Sequence, residues 1–280
     1  MRADDVQRDG DLCEQCGGDG VEGCSEGADG GGAGRAEVPD RREPGSAAGG
    51  PAGSAWAPAV SADEEQGRVL PVLEGILKAR PNTLVSVDTY KAATARAALK
   101  AGVEIINDVS GFAWDAEMAS VCAEFKAGVI LMHTRGRPEM WRAQPQLAPD
   151  ELLATVRAGL AASLAAAAAA GIPPHAVVLD PGYGFGKRGA ENFALLARQA
   201  ELLALGRPLL AGLSRKSFLG QALAPLYGGK RAAVEARETA SLAAMVAAVL
   251  NGASIVRVHQ VRAAVEAALV VDAIRQPAGE

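Results

Sequence analysis

The stretch that decides the fold is residues 176–187, AVVLDPGYGFGK, in which a short apolar run ends in an aspartate and a glycine-rich loop follows. A continuous apolar run of this length is typical of a strand that is buried on both faces, because a half-buried strand alternates apolar and polar residues. The three alternating glycines of the loop let the backbone approach a ligand closely. This stretch therefore predicts a parallel strand whose carboxyl end, at Asp180, carries a site.

Five further stretches repeat the pattern of an apolar strand with a polar end. They are TLVSVD (83–88), VEIIND (103–108), VILMH (129–133), PLLAGLS (208–214) and SIVRVH (254–259). Alanine- and leucine-rich segments of helical length lie between and after the strands. These segments span residues 91–101, 115–126, 149–170, 190–205, 232–251 and 261–274. Strands that alternate with helices predict an α/β fold with a parallel sheet.

Six such units fit either an open doubly wound sheet or a (β/α)8 TIM barrel. A barrel gathers the carboxyl ends of all its strands on one face, whereas an open sheet binds ligands at a switch point. Because all six strands end in polar residues, the barrel is favoured. A closed barrel of this kind has eight strands. The expectation is therefore that the first two β/α units are absent, or are replaced by the glycine-rich segment before Ser61.

The composition changes abruptly near residue 60. Residues 1–60 hold 14 of the 33 glycines and few large apolar side chains. A segment of this kind cannot offset its own ordering entropy, which predicts disorder. From Ser61 the sequence becomes ordinary, because Ser61 and Glu64 resemble a capping box and apolar residues then recur at helical spacing. We expect a folded domain over residues 61–276, preceded by a disordered segment over residues 1–60.

Charge and cysteine content bound the partners. The formal net charge is -5 and the pI is about 5.4, so no basic surface for nucleic acid is expected. No run of apolar residues reaches membrane-spanning length and the first residues do not resemble a secretion signal, which predicts a cytoplasmic protein with small-molecule ligands. Cys13 and Cys16 have the spacing of a zinc knuckle, but only Cys24 lies nearby, so incidental cysteines are favoured over a metal site.

Cationic residues follow the last two predicted strands. Arg215 and Lys216 come directly after Ser214, and Arg257 and His259 are two residues apart, so they point to the same side of their strand. Single polar residues at strand ends are often turn formers or helix caps. Taken together, however, cations beside loops and helix starts favour a bound phosphate group.

In these motifs the chain resembles the dihydropteroate synthase family, over about residues 59–273. The matching motifs are SVDT around Asp88, IIND ending at Asp108, LMH ending at His133, DPGYGFGK from Asp180, SRKSFLG from Ser214 and IVRVH ending at His259. The resemblance implies a (β/α)8 barrel that condenses 6-hydroxymethyl-7,8-dihydropterin diphosphate with 4-aminobenzoate. The products are 7,8-dihydropteroate, which is an intermediate of folate biosynthesis, and diphosphate, which is the leaving group of the pterin substrate. Mg2+ is the implied cofactor, and a homodimer is compatible with the family.

The resemblance also implies residue roles. Hydrogen bonds to the pterin ring are assigned to Asp88, Asn107, Asp180 and Lys216. The pocket walls are assigned to Met132, Phe185 and Gly212. Arg257 and His259 are assigned to the diphosphate, and Ser214 and Arg215 lie towards the aminobenzoate. Lys216, Arg257 and His259 are the catalytic candidates.

Two family motifs do not occur in this sequence. The family opens with a strand and loop close to G-x-x-N-x-T-P-D-S-F-S, and a second loop close to G-G-E-S-T-R-P-G follows. The first carries the asparagine that holds Mg2+, so no residue here is assigned to the metal. The hypothesis that residues 1–60 are a frameshift product explains this difference. The alternative function is a non-catalytic pterin-binding remnant, while a methyltetrahydrofolate methyltransferase is disfavoured because methyl transfer needs no diphosphate site.

Overall fold

The computed structural model describes residues 60–275. Its strands are β1 (Ser86–Asp88), β2 (Ile105–Asp108), β3 (Gly128–Met132), β4 (Val177–Asp180), β5 (Leu210–Ala211) and β6 (Ile255–Val256). All the strand pairs are parallel, and the order is β1-β2-β3-β4 in one sheet and β5-β6 in another. A parallel bridge between Leu179 and Leu209 joins β4 to β5, so the six strands follow one another in chain order. The predicted parallel α/β fold is confirmed in this coarse form.

Helices precede the first strand, lie between consecutive strands and follow the last strand. They are α1 (Ala62–Ala79), α2 (Ala92–Lys100), α3 (Met118–Glu124), α4 (Pro149–Ala169), α5 (Gly189–Ala197), α6 (Ser217–Ala222), α7 (Glu238–Leu250) and α8 (Val261–Arg275). Ser61 caps α1 by accepting a hydrogen bond from the backbone N–H of Glu64 at 3.1 Å. Residues 60–259 lie in one compact unit, and α8 belongs to a second unit.

Strand register separates the two faces of the sheet. Val87, Ile106, Val129 and Val177 are paired across β1 to β4, and each is buried in the main hydrophobic core. The residues between them in sequence point to the opposite face, because side chains alternate along a strand. We call the first face the helix face, since its residues pack in one core with the helices, and the other face the pocket face.

Several predicted elements differ from those observed. The predicted helix over 190–205 is interrupted, because α5 ends at Ala197 and the chain continues as a 3₁₀ helix over Gln199–Leu205. The predicted helix over 232–251 begins only at Glu238, after a loop. β5 and β6 are two residues long, shorter than the apolar runs that predicted them. Within residues 60–275 the sheet does not close into a barrel, and β1 and β6 each pair with one strand.

The expectation that no segment is apolar enough to span a membrane is wrong for α4. By length and composition alone this helix passes, with a mean hydropathy of 1.6 over its most apolar window, of which 33% is buried. Alanine contributes much of this value, because the last residues of the helix, 165–169, are all alanine. Leu152, Val156 and Leu160 of α4 are nearly fully buried in the main core, as in a core helix that passes the same test. The predicted disordered segment 1–60 lies, apart from Val60, outside the described residues.

Candidate active site

The strand register brings most of the predicted site residues to one face. Asp88 pairs with Asn107 across β1 and β2, and Met132 pairs with Asp180 across β3 and β4. Both pairs alternate with the core residues, so they lie on the pocket face. β5 and β6 continue this face, because Leu210 pairs with Ile255 and the residues two positions on, Gly212 and Arg257, are in contact.

Asp180 is the buried carboxylate of the site. Its side chain is about 1% exposed, and Oδ1 accepts a hydrogen bond of 2.7 Å from the backbone N–H of Gly182. Burial raises the pKa of Asp180, while Arg257, the Gly182 N–H, Lys216 and Lys187 act in the opposite direction. The guanidinium of Arg257 lies 3.6 Å from Oδ2. This carboxylate has one oxygen held by the loop and the other directed to a cation.

Asn107 offers a buried amide without internal partners. The residue is about 1% exposed, and neither Oδ1 nor Nδ2 has a hydrogen-bond partner among residues 60–275. A buried polar group that is left unpaired costs free energy, so native proteins rarely keep one without a reason. One acceptor and one donor on the pocket face suit a flat heterocycle that carries both kinds of group.

The loop after β4 has a rigid course. Gly182, Gly184 and Gly186 all have positive φ angles, of 70°, 84° and 70°. A Cβ atom at Gly182 would overlap the carbonyl oxygen of His133, so only glycine fits there. The loop presents the Phe185 ring, with the Lys216 ammonium 4.2 Å from its centroid and Trp141 packed edge-on at 5.2 Å. The expected wall residue Phe185 therefore also positions the expected ring-binding residue Lys216.

The loop after β5 is held by α7. Arg215 has a φ of 59°, an unfavourable value for a residue with a side chain. Its N–H donates to Ser241 Oγ at 2.8 Å, its carbonyl accepts from Arg237 at 2.7 Å, and its guanidinium pairs with Glu238. The buried Arg237 also donates to the carbonyl of Ala232. Sequence reasoning missed Arg237, Glu238 and Ser241, because nothing in a helix start indicates that it braces a distant loop.

Arg257 and His259 lie beside the loop after β5. The Arg257 guanidinium packs so close to Gly212 that a Cβ atom there would lie 2.9 Å from Nη2. His259 Nδ1 and Ser214 Oγ are 2.7 Å apart, within hydrogen-bond distance. Side chains from β4, β5 and β6 thus converge on one region of the pocket face. Arg257 is partly exposed, as a group that meets a soluble anion should be.

Two polar residues at strand ends face away from this region. Asp108 lies on the helix face, where its two carboxylate oxygens accept from the N–H groups of Ser110 at 2.7 Å and Phe112 at 2.9 Å. The His133 ring abuts Gly159 of α4, and burial lowers its pKa from 6.5 to about 2, with Lys187 and Arg135 adding to the shift. These residues shape the loops and do not contact the pocket face.

Parallel strands with polar groups and cations at their carboxyl ends are typical of α/β enzymes that bind small molecules. Three comparisons with known proteins identify the family. The model of the family of pterin binding enzymes matches residues 48–259, and this chain belongs to that family.

Relatives within the family include dihydropteroate synthases. The enzyme of Mycobacterium leprae is 45% identical over 211 residues, which cover 75% of this chain and 72% of the relative. A solved structure from Thermus thermophilus, in complex with 4-aminobenzoate, is 40% identical with a TM-score of 0.67 and covers 75% of this chain and 77% of its own. One from Xanthomonas albilineans, in complex with 7,8-dihydropteroate, is 36% identical with a TM-score of 0.67 and coverages of 77% and 78%.

Proposed function

We propose that this chain condenses 6-hydroxymethyl-7,8-dihydropterin diphosphate with 4-aminobenzoate to give 7,8-dihydropteroate and diphosphate. The observation that carries the proposal is the pocket face. It holds the amide of Asn107, which has no hydrogen-bond partner within residues 60–275, and the buried carboxylate of Asp180 with the cation Arg257. A pterin ring offers amide and amino N–H groups to the carboxylate, and ring nitrogen and carbonyl acceptors to donors. The diphosphate offers a charge complementary to Arg257.

The chemistry is a displacement at the pterin methylene. The bond between the methylene carbon and the diphosphate oxygen breaks, and the electron pair leaves with the diphosphate. The aromatic amine of 4-aminobenzoate then forms the new carbon–nitrogen bond and loses a proton to solvent. Arg257 and His259 stabilise the charge that develops on the diphosphate, and Ser214 orients His259 through the 2.7 Å contact. Asp180, Asn107 and Lys216 hold the ring in place.

The remaining roles complete the pocket. Asp88, at the exposed end of β1, adds a carboxylate for the ring, and Met132, Phe185 and Gly212 supply apolar walls. Arg215 is committed to Glu238, so its side chain serves the aminobenzoate side only after leaving that ion pair.

A finer description of the fold is also proposed. In it, β1 to β6 are six strands of a (β/α)8 barrel, and residues 61–276 are the pterin-binding domain. Two observations support this description. Side chains alternate between the pocket face and the helix face, and within residues 60–275 the strands β1 and β6 each pair with only one neighbour, so each leaves an edge to which a further strand could pair. A cytoplasmic location, a homodimer and the absence of nucleic-acid and membrane partners stay predictions.

The Mg2+ prediction meets no matching donor set. Within the described range, no group of three or more His, Cys, Asp or Glu side chains could hold a metal ion. Residues 60–275 therefore offer no cluster of this kind for a protein-held magnesium ion, and each role above rests on side chains of this chain.

A turnover assay on the full chain tests the proposal. The pterin diphosphate and 4-aminobenzoate are supplied with Mg2+, and formation of dihydropteroate is followed. Asp180→Asn replaces one carboxylate oxygen with an amide donor and removes the negative charge at nearly constant size, so it should lower kcat/KM about a hundredfold or more. The matched control is Asp63→Asn, at an exposed residue of α1, which should leave turnover unchanged. Binding of the pterin without any turnover would reject the enzyme and leave the non-catalytic remnant.

A further inference from the structure

Lys187 is a buried lysine that the proposed reaction does not use. It ends the loop after β4 and is only 6% exposed. Its ammonium donates three hydrogen bonds to backbone carbonyls, to Gly182 at 2.7 Å, to His133 at 3.2 Å and to Phe185 at 3.3 Å. A buried charge is costly unless it is paired and hydrogen-bonded, so its position here calls for a function.

The three acceptors belong to two loops. His133 follows β3, while Gly182 and Phe185 belong to the loop after β4, so the ammonium joins the carboxyl ends of neighbouring strands. Gly182 is held from both sides, because its N–H donates to Asp180 and its carbonyl accepts from Lys187. The Phe185 carbonyl accepts from the same ammonium, and the Phe185 ring contacts Lys216. One ammonium therefore sets the backbone on which two predicted ligand-binding groups depend.

Three cations favour the charged form of Asp180, and Lys187 acts on it after Arg257 and Lys216. Arg135, after β3, pairs with the buried Glu191 of α5 at 3.2 Å, so these two neutralise each other. Lys216 and Arg257 also face Asp180, but both are more exposed and are the groups proposed to meet substrate. Lys187, in contrast, is buried and donates to three backbone carbonyls.

The proton equilibria agree with this geometry. Lys187 is among the groups that oppose the burial-raised pKa of Asp180. In turn, burial lowers the pKa of Lys187 to about 7, against the opposing effects of Asp180 and Glu191. The cations Arg135 and Lys216 lower it further.

We propose that Lys187 is a positioning residue of the pterin site, whose buried ammonium locks the loop after β4 onto the end of β3 and adds a positive charge at the Gly182 turn that holds Asp180. This inference rests on the proposed function, since the ligand that Asp180 receives is the pterin ring. Lys187 touches no substrate atom and acts through Gly182, Phe185 and Asp180.

The test is the pH dependence of ligand binding by the full chain, with 6-hydroxymethylpterin as the probe, measured by calorimetry. Lys187→Gln keeps a hydrogen-bond donor and removes the charge, and Lys187→Met removes both. In each variant Asp180 takes up a proton at higher pH, so the acid midpoint of binding should move up by about one pH unit. Affinity on the acid side of neutrality should fall about tenfold. Lys187→Met should show the larger loss, because the loop is also released.

Lys100→Gln is the matched control. This exposed lysine ends α2, before β2 begins, so it lies towards the opposite ends of the strands. The control should keep both the affinity and the acid midpoint of the unmodified chain. A merely structural lysine would lower stability in urea and leave the midpoint in place, and that result would overturn the inference.

The two proposals fail in different ways. If the unmodified chain does not bind 6-hydroxymethylpterin, the proposed function falls and the inference falls with it. If the unmodified chain binds and both Lys187 variants keep its acid midpoint, the inference alone is wrong. Loss of folding in both variants would also overturn it, since Lys187 would then serve the stability of the whole chain.

Discussion

Asn107 and Asp108 are neighbours at the end of β2, yet they lie on opposite faces of the sheet. On the helix face, both carboxylate oxygens of Asp108 are used by N–H groups of the loop that follows. On the pocket face, the amide of Asn107 is equally buried and has no partner within the described chain. Asp108 therefore holds the loop in place, whereas Asn107 has the role of a ligand-binding group in the proposed function.

The largest effect is expected on the pocket face, from Arg257→Ala. Loss of the guanidinium should weaken binding of the pterin diphosphate about a hundredfold, because a charge-assisted pair to phosphate is removed. Binding of 6-hydroxymethylpterin, which has no diphosphate, should change far less. Calorimetry with both ligands measures the two losses, and equal losses would contradict the assignment of Arg257 to the diphosphate. Lys216→Ala should show the opposite selectivity, since Lys216 is assigned to the ring.

The comparison itself is tested by a pair of substitutions. Asp108→Ala leaves two buried N–H groups unpaired and should lower the free energy of unfolding by about 2–4 kcal/mol. Asn107→Leu removes a buried amide that pairs with nothing in residues 60–275, so stability should rise by about 1 kcal/mol while pterin binding is lost.

Urea unfolding and ligand binding of both variants give the result. If Asn107→Leu lowers the stability and still binds the pterin, Asn107 serves the stability of the chain and not the ligand. A fully stable Asp108→Ala would show that the loop holds without its carboxylate.

A pH series tests the helix face at His133. The pKa of His133 is lowered from 6.5 to about 2, so between these values the unfolded chain binds a proton that the folded chain does not. The contribution of the neutral His133 ring to the free energy of unfolding is fully present above pH 6.5. As the pH falls below this value, the free energy of unfolding decreases by about 1.4 kcal/mol per pH unit. His133→Asn should show a shallower loss of stability in acid. The free energy of unfolding in urea is measured for both chains at each pH. If it depends on pH identically in His133→Asn and in the unmodified chain, His133 takes up its proton in the folded chain as it does in the unfolded chain.

The smallest effect concerns two helical glycines. A Cβ atom at Gly159 of α4 would overlap the buried His133 ring, so Gly159→Ala should destabilise the chain by about 1–3 kcal/mol. Gly75 of α1 has no heavy atom within 4 Å of the same added atom, and Gly75→Ala should stabilise by about 0.5–1 kcal/mol. Thermal unfolding of the two variants should therefore shift in opposite directions. Equal shifts of the unfolding temperature would mean that the His133 ring does not restrict the space beside Gly159.

Much of this arrangement could be predicted from the sequence, because it depends on periodicity. The continuous apolar run at 176–180 predicts β4 within one residue, and alternation assigns Asn107 and Asp108 to opposite faces. The motif resemblance led to the family, which the comparisons confirm. The site roles of the individual residues stay predictions.

Other features were beyond prediction because they are set by tertiary contacts. A lysine after a glycine-rich loop suggests an exposed residue, and only the folded chain shows the ammonium of Lys187 enclosed by three carbonyls. The positive φ of Arg215 depends on Arg237 and Ser241, more than twenty residues away in sequence. Helix propensity alone also favoured a continuous helix over 190–205, where the chain instead turns 3₁₀ after Ala197.

The close approach of Gly182 to the His133 carbonyl bears on the speed of recognition. A loop that is locked before the ligand arrives has little conformational entropy left to lose on binding. The encounter then needs no slow rearrangement of residues 181–187, so the rate of association is set by diffusion and by the cations at the rim. Differences in affinity among related ligands should consequently appear in their rates of dissociation.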